Sequence, residues 1–335
     1  MVNQFIDGEW VTDYDPTDED GEFDRQPTSF RDTVPPEDVE AGRYHLYVSY
    51  ACPWAHRTLV TRRLLGLEDA ITVDVVDPFR DDGGWQFTPG KEGCTADSVH
   101  GADYLREVYL EADDEYTGRV TVPVLWDREE GTIVNNESRD IMRILTTRFA
   151  DLGNGVDLAP PELREDVDRI LDEIYEPINN GVYRAGFAET QAAYDGAVAE
   201  LFDALDRWDE VLADQRYLAG DRLTEADVAM YTTLVRFDEV YYTIPITLKE
   251  VYRGVDDPRP EKWKRIQDYD HLHAYLRDLY QTPGFAETTN LSHISEHYAS
   301  PGSPQLHTHD PDNIDLGLDE PHGRERLSAR DPLDA

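Results

Sequence analysis

The chain has 335 residues, 39% of them hydrophobic, and 71 Asp and Glu against 31 Lys and Arg give a formal net charge of -40. That field excludes nucleic acid and anionic membrane surfaces as partners, because both are bound by basic side chains that neutralise phosphate. Two cysteines, Cys52 and Cys94, exclude a disulfide framework, and no run reaches the roughly 18 apolar residues of a membrane span.

Such a surface suits a salt-rich, reducing cytosol, since near molar salt the Debye length falls to roughly 3 Å and like-charge repulsion is screened. Met1 to Trp10 has no basic stretch followed by an apolar one, so we expect a cytoplasmic protein.

In chain order, residues 1–43 read as an extended arm, rich in Asp, Glu, Pro and Thr with isolated aromatics such as Tyr14, Phe23 and Phe30. Order begins at Tyr44 to Tyr50, a β-prone run followed by Cys52-Pro53 and by Leu59, Val60, Leu64 and Leu65 at helical spacing. Gly66 stops that helix, and Ile71 to Val76 supplies a second strand, parallel to the first.

A Gly-rich excursion from Asp81 to Gly101 leads to strands at Thr121–Trp126 and Thr132–Val134, paired as a hairpin, and to a helix from Ser138 to Phe149. The order βαβ then ββα is that of a thioredoxin-like domain. A proline inside the third strand argues against a central strand, but this fold expects one there in the cis form, facing the active site.

Beyond Gly153–Pro161 the pattern is helical over Leu163–Tyr175, Tyr194–Leu212 and Thr224–Phe237, with Thr224 and Asp227 spaced as a capping box. The fold class is therefore α/β plus all-α. We expect a thioredoxin-like domain at 44–152, an all-helical domain at 153–299 and an extended or disordered tail at 300–335.

Pro53 suits the first helical position, which puts Cys52 at the N-cap, where free backbone N–H groups favour a thiolate. His56 and Arg57 in the first turn add positive potential, so the sequence predicts a lowered thiol pKa. Trp54-Ala55 follows with no second cysteine three residues on. A two-cysteine redox cycle is thus excluded locally, and a small-molecule thiol must resolve any mixed disulfide.

His293-Ile-Ser-Glu-His297 lacks the Glu directly after the first His that a zinc-protease helix needs. His307 and His309 fall in the tail without companion ligands, so no metal is expected. Cys94 reads as a loop-packing residue.

The motifs Cys52-Pro-Trp-Ala-His-Arg57, Gly84-Trp-Gln-Phe87, Gly93-Cys-Thr-Ala-Asp97, Gly118-Arg-Val-Thr-Val-Pro-Val-Leu-Trp-Asp127, Asn135-Asn-Glu-Ser138 and Tyr280-Gln-Thr-Pro-Gly-Phe-Ala-Glu-Thr288 occur in this order. Together with Phe5-Ile-Asp-Gly-Glu-Trp10 they resemble the glutathionyl-hydroquinone reductases, the Xi-class glutathione transferases. The stretch Tyr242–Leu248 and the segment from Val255 to Trp263 depart from the family's pattern.

The resemblance implies a glutathione-transferase helical domain behind the thioredoxin-like one, a homodimer, and removal of the thiol from S-conjugated hydroquinones through a Cys52 mixed disulfide. It implies Tyr183 as proton donor and acceptor, with Tyr241 and Tyr298 helping to lower the thiol pKa. The thiol contacts would be Trp85, Arg119, Val120, Thr121, Val122, Pro123, Glu137 and Ser138, and the co-substrate glutathione or, for a salt-accumulating cell, γ-glutamylcysteine. A conjugating or thiol-transferring transferase and a non-catalytic transferase-like binding module stand as alternatives.

Overall fold

The computed structural model describes residues 2–248, 263–299, 315–330 and 333. His307, His309 and most of the divergent segment at 255–262 lie outside the described residues.

The first element is not extended chain. Strands β1 (Val2–Ile6) and β2 (Glu9–Tyr14) form an antiparallel hairpin, turned at Asp7 and Gly8, both at positive φ. Phe5 is buried and packs edge-on against Trp10 and Tyr116, so the hairpin is held by aromatic burial against the body behind it. Phe5 and Gly118 exchange backbone hydrogen bonds at 2.9 and 3.0 Å, which stitches β1 to the later chain.

A four-stranded sheet follows, in the order β4-β3-β7-β8: β3 (Tyr44–Val48), β4 (Thr72–Val75), β7 (Val124–Asp127) and β8 (Thr132–Asn135). β3 runs parallel to β4 and antiparallel to β7, with His45 opposite both Thr72 and Trp126. Every residue of β3 is buried, as expected of a strand covered on both faces. Helices α1 (Pro53–Leu64) and α3 (Ser138–Arg148) follow β3 and β8, completing the thioredoxin-like arrangement.

The sequence places the third strand from Thr121. The strand begins instead at Val124, and the cis Val122–Pro123 bond lies just before it, so the missing proline N–H interrupts no ladder. Between β4 and β7 lie the short strands β5 (Arg80–Asp81) and β6 (Gly84–Trp85) and a helix, α2 (Leu105–Ala112). The sequence reading passed over α2, although Leu105, Val108 and Tyr109 make a helical stripe and all three are buried.

The helical layer comprises α4 (Arg164–Ile174), α5 (Gly181–Phe187), α6 (Gln191–Leu212), α7 (Glu225–Arg236), α8 (Asp270–Gln281) and α9 (Leu291–Ala299). π-helical turns occupy Tyr175–Asn179 and Phe237–Leu248. Both halves of the expected capping box at α7 are present: the Thr224 side chain accepts from the Asp227 backbone N–H and Asp227 Oδ2 accepts from Thr224 N at 2.8 Å, with Thr224 Oγ1 also donating to that oxygen at 3.0 Å.

The described part of the tail packs on this layer, unlike the disordered segment the sequence suggests. Leu316 and Leu318 are buried. The Arg324 guanidinium donates to the carbonyls of Leu212, Gln215 and Arg216 at 3.0, 2.7 and 2.8 Å, closing the C-terminal end of α6.

Candidate active site

Cys52 is the N-cap of α1, with φ -77 and ψ 121, and Pro53 is the first helical residue. The β3–α1 turn therefore aims the sulfur along the helix N-terminus, beside the loop that carries the cis proline. The thiol donates to Val122 O at 3.5 Å.

The backbone N–H groups of Ala55 and Trp54 and the charges of Arg236 and Arg25 pull the Cys52 pKa down, but burial outweighs them and the thiol is pushed above its ordinary range. The sequence predicted the reverse. His56 is the second correction: it is fully buried and held neutral by burial and by Arg236, so it lends no positive charge to the sulfur.

Arg57 is buried as well. Its guanidinium reaches Asn179 Oδ1 at 2.7 Å and Ser138 Oγ at 3.4 Å and lies 4.5 Å from the Trp54 ring centroid. Burial lowers its pKa to about 10, against the pull of Glu137, so the charge stays on at neutral pH.

Next to this helix start opens a cavity of about 290 Å³. Of the residues singled out in the sequence, Arg119, Thr121, Val122, Pro123, Glu137 and Ser138 line it. Val120 and Trp85 do not appear in its wall. Val120 is in the core, while Trp85 is buried and stacks on His297 at 5.3 Å with Arg80 4.8 Å from its ring.

Glu137 is the N-cap of α3, its carboxylate accepting from Arg139 N at 3.2 Å. It thereby sets one negative group and the Ser138 hydroxyl at the positive end of that helix. Arg119 faces them, with its pKa lowered to about 9 by burial and by the neighbouring charges of Arg25 and Arg80.

The three tyrosines come together although they are far apart in sequence. Tyr183 Oη is 2.9 Å from Tyr298 Oη and 3.3 Å from Tyr241 Oη, and Tyr241 Oη is 3.1 Å from Tyr298 Oη. Burial raises all three above the ordinary phenol value, and at Tyr183 the bonds from Tyr241 and Tyr298 pull the other way. The Tyr183 ring stacks on Trp54, two residues after Cys52, with centroids 6.3 Å apart.

Neither α5 nor the ring of Tyr183 would sit here on a regular helix alone. The π-helical turn at Tyr175–Asn179 inserts an extra residue per turn just before α5, resetting the face that α5 presents. It also brings Tyr175 into the cavity wall.

Against known proteins, residues 51–148 match the glutathione S-transferase N-terminal domain and residues 191–278 the C-terminal domain. The chain is 44% identical to the glutathionyl-hydroquinone reductase YqjG of Escherichia coli (strain K12), over 97% of this chain and 99% of that protein. It is also 44% identical to the glutathionyl-hydroquinone reductase PcpF of Sphingobium chlorophenolicum, over 88% and 90% of the two chains.

The chain belongs to the glutathionyl-hydroquinone reductases, the Xi class of glutathione transferases. Two solved structures are similar throughout: a Xi-class glutathione transferase from Natrialba magadii, with 56% identity, TM-score 0.84 and 98% of each chain covered, and the glutathione-bound form of YqjG, with 44% identity, TM-score 0.79 and coverage of 96% and 99%.

In this Xi-class chain the sequence reading missed two groups. One is the cavity wall formed by Arg25, Gln26, Pro27, Thr28 and Arg31 of the N-terminal segment. The signal was there: Arg25 and Arg31 are the sole basic residues between positions 11 and 39. The other is Arg236 at the end of α7, whose guanidinium donates to the carbonyls of Tyr50 and Ala51 at 2.8 and 3.1 Å and so fixes the turn that carries Cys52. Among the described residues no group of His, Cys, Asp and Glu could hold a metal ion, and no helix is long and apolar enough to cross a membrane.

Proposed function

We propose that this protein removes glutathione from S-glutathionyl hydroquinones, with Cys52 as nucleophile and a free thiol as reductant. The observation that carries the reading is the Cys52 sulfur, 3.5 Å from Val122 O, between the Trp54–Tyr183 stack and the cis-proline loop, whose Trp54, Val122 and Pro123 line the cavity. The identity to YqjG and PcpF along nearly the whole chain supports it.

In the first step the Cys52 thiolate attacks the conjugate sulfur, the carbon–sulfur bond breaks, and its electron pair stays on the ring carbon. Tyr183 gives that carbon a proton and becomes a tyrosinate, stabilised by the hydroxyls of Tyr241 and Tyr298. In the second step a free thiolate attacks the mixed disulfide, the Cys52 thiolate departs, and the proton released by that thiol restores Tyr183. The ring is reduced and two thiols leave as a disulfide, so electrons balance.

For the thiol, Glu137 and the α3 N-terminus suit a γ-glutamyl group, which carries an ammonium and a carboxylate together. Arg119 suits a second carboxylate and the Val122 backbone the cysteinyl part. Val120 and Trp85 support these contacts from behind the wall. Residues 44–152 form the thiol-binding unit, 153–299 the helical unit, and the protein works as a cytoplasmic homodimer in a salt-rich cell.

The test is Cys52→Ala, assayed by hydroquinone release in molar KCl with glutathione and with γ-glutamylcysteine. Turnover should vanish with both thiols, and intact wild-type protein should carry one thiol adduct at Cys52 by mass spectrometry. Retained turnover, or no adduct, refutes the reading and favours a conjugating transferase.

A further inference from the structure

Acidic residues outnumber basic ones more than two to one in this chain, and many of its arginines are paired with them, for example Arg43 with Asp127 at 2.7 Å and Arg143 with Glu225 at 2.8 Å. Around Cys52 such pairing is missing. Among the described residues Arg25, Arg80 and Arg119 have no carboxylate partner, and Arg25 and Arg119 border the cavity.

Arg119 and the α3 N-terminus provide for the two carboxylates of a γ-glutamyl tripeptide. Arg25 is then left over, and its position is specific. Its Cζ lies 4.8 Å from the Trp54 ring centroid and 5.0 Å from that of Tyr183, while Nε donates to Asn180 Oδ1 at 2.7 Å. It thus sits over the stack that joins the cysteine helix to the tyrosine cluster.

The segment that carries it is anchored at both ends. Upstream, Gly21 O accepts from Glu189 N at 2.8 Å and Phe23 stacks on Phe187 at 4.9 Å. Downstream, Phe30 and Asn136 exchange backbone and side-chain hydrogen bonds at 3.1 and 3.2 Å, and Asp32 N donates to Val134 O at 3.0 Å. The guanidinium is held between the two layers by chain that belongs to neither.

We propose that Arg25 is a positioning residue of the reductive step, placed by the N-terminal segment to hold negative charge as it appears on the Tyr183 hydroxyl and the Cys52 sulfur. This rests on the reductase reading above, and it gives the segment a part in the chemistry. When Tyr183 yields its proton the new tyrosinate has two neutral hydroxyls beside it, so a fixed cation over the ring stabilises the charge that two hydrogen bonds only share.

The other groups facing this region are Arg57 from α1, Arg80 from β5, Arg119 before the cis proline, Glu137 from α3, Tyr175 from the π-helical turn, Arg236 from α7, and Tyr241, His297 and Tyr298 on the far side. His297 is driven down to about 4 by burial and is neutral in the working range. Burial of Cys52 and Tyr183 opposes ionisation of both, and Arg25 acts against it at both.

The experiment uses the full chain in molar KCl and reads hydroquinone release from a glutathionyl-hydroquinone and the pH profile of Cys52 alkylation by iodoacetamide. Arg25→Met should lower kcat by about a hundredfold, the lower end of the range for losing one preorganised electrostatic partner, with KM for the free thiol little changed. The alkylation midpoint should rise by roughly half a unit or more, and Arg25→Lys should return it most of the way to the wild-type value. Asn180→Ala, which frees the Arg25 Nε, should move both readouts the same way by less, and keeps the proposal testable if Arg25→Met folds poorly.

Wild-type kcat and alkylation profile in Arg25→Met, with Cys52→Ala inactive, would overturn the inference and leave the reductase reading standing. A change confined to KM for the thiol would also overturn it, making Arg25 a carboxylate anchor. Full turnover in Cys52→Ala would instead remove the reading underneath.

Discussion

Arg236 offers the sharpest test of how the helical layer holds Cys52 in place. It is fully buried at the end of α7, and its guanidinium donates to Tyr50 O at 2.8 Å, Ala51 O at 3.1 Å, Thr232 O at 2.7 Å and His56 Nδ1 at 3.1 Å. Two of these acceptors belong to the two residues before Cys52 and a third to the first turn of α1. Replacing Arg236 with Ala takes a donor from the buried Tyr50 and Ala51 carbonyls and from the His56 imidazole nitrogen, at about 1–3 kcal/mol each, while Thr232 O keeps its helical partner.

Against that loss stands the removal of a buried charge with no carboxylate bonded to it, which offsets several kcal/mol. The net expectation is a destabilisation of about 3–4 kcal/mol, or roughly 4–6 °C in Tm for a chain of 335 residues. The functional effect is separate: the Cys52 thiol loses one of the arginines that favour its ionised form, so its alkylation midpoint moves further up.

Thermal unfolding in molar KCl and the pH profile of iodoacetamide labelling measure the two effects independently. Arg236→Lys should recover part of the midpoint through its charge but little of the stability, because one ammonium cannot span acceptors on two sides. If Arg236→Ala melts with the wild type and labels with the same profile, the bonds to Tyr50 and Ala51 do not hold the turn and the reasoning fails.

Two further outcomes follow from the same geometry. Tyr183→Phe should reduce kcat by about a hundredfold or more while the Cys52 adduct still forms with a disulfide probe, as expected for loss of a proton donor and not of the nucleophile; equal loss of both steps would refute that division. Asp227 has its pKa raised to about 6 by burial despite accepting from Leu218 N, Thr224 N and Tyr275 Oη. A folded value above the unfolded one means this group's contribution is full below about pH 4 and is lost as pH rises through 6, so between those limits wild type should lose about 2–3 kcal/mol relative to Asp227→Asn by urea unfolding. A difference that stays flat with pH would show that Asp227 does not titrate in that window.

Much of this site was legible because its parts are local. Cys52-Pro53 announces a helix start, and Thr224 with Asp227 announces another; both are where the spacing put them. The cis proline was legible only through its fold, and its place just outside β7 comes from the ladder geometry, which a run of β-prone residues does not reveal.

What stayed hidden depends on contacts between distant segments. A neutral His56 follows from an arginine 180 positions away and from complete burial, neither of which a first-turn histidine displays. The same burial reverses the expected direction at Cys52. The π-helical turns leave no periodic trace, since one extra residue per turn resembles noise in a hydrophobic pattern. In the arm it is the β1–β2 hairpin that departs from the extended chain the composition suggests, and the arm's order comes from aromatic and backbone partners on the body.

The charge distribution ties these observations together. A surface carrying this excess of carboxylate repels itself, and any salt strong enough to screen that repulsion also screens long-range steering of a charged ligand. The ligand must then be held by short-range contacts alone. Guanidinium groups whose partners are aromatic faces, amides and carbonyls supply such contacts, because they are buried where screening is weak and no resident carboxylate competes for them. Arg31, Arg139 and Arg169 pair with acids at the surface, whereas Arg25, Arg80 and Arg119 near Cys52 have no carboxylate partner among the described residues, which leaves these cations open to an anionic ligand where salt screens little.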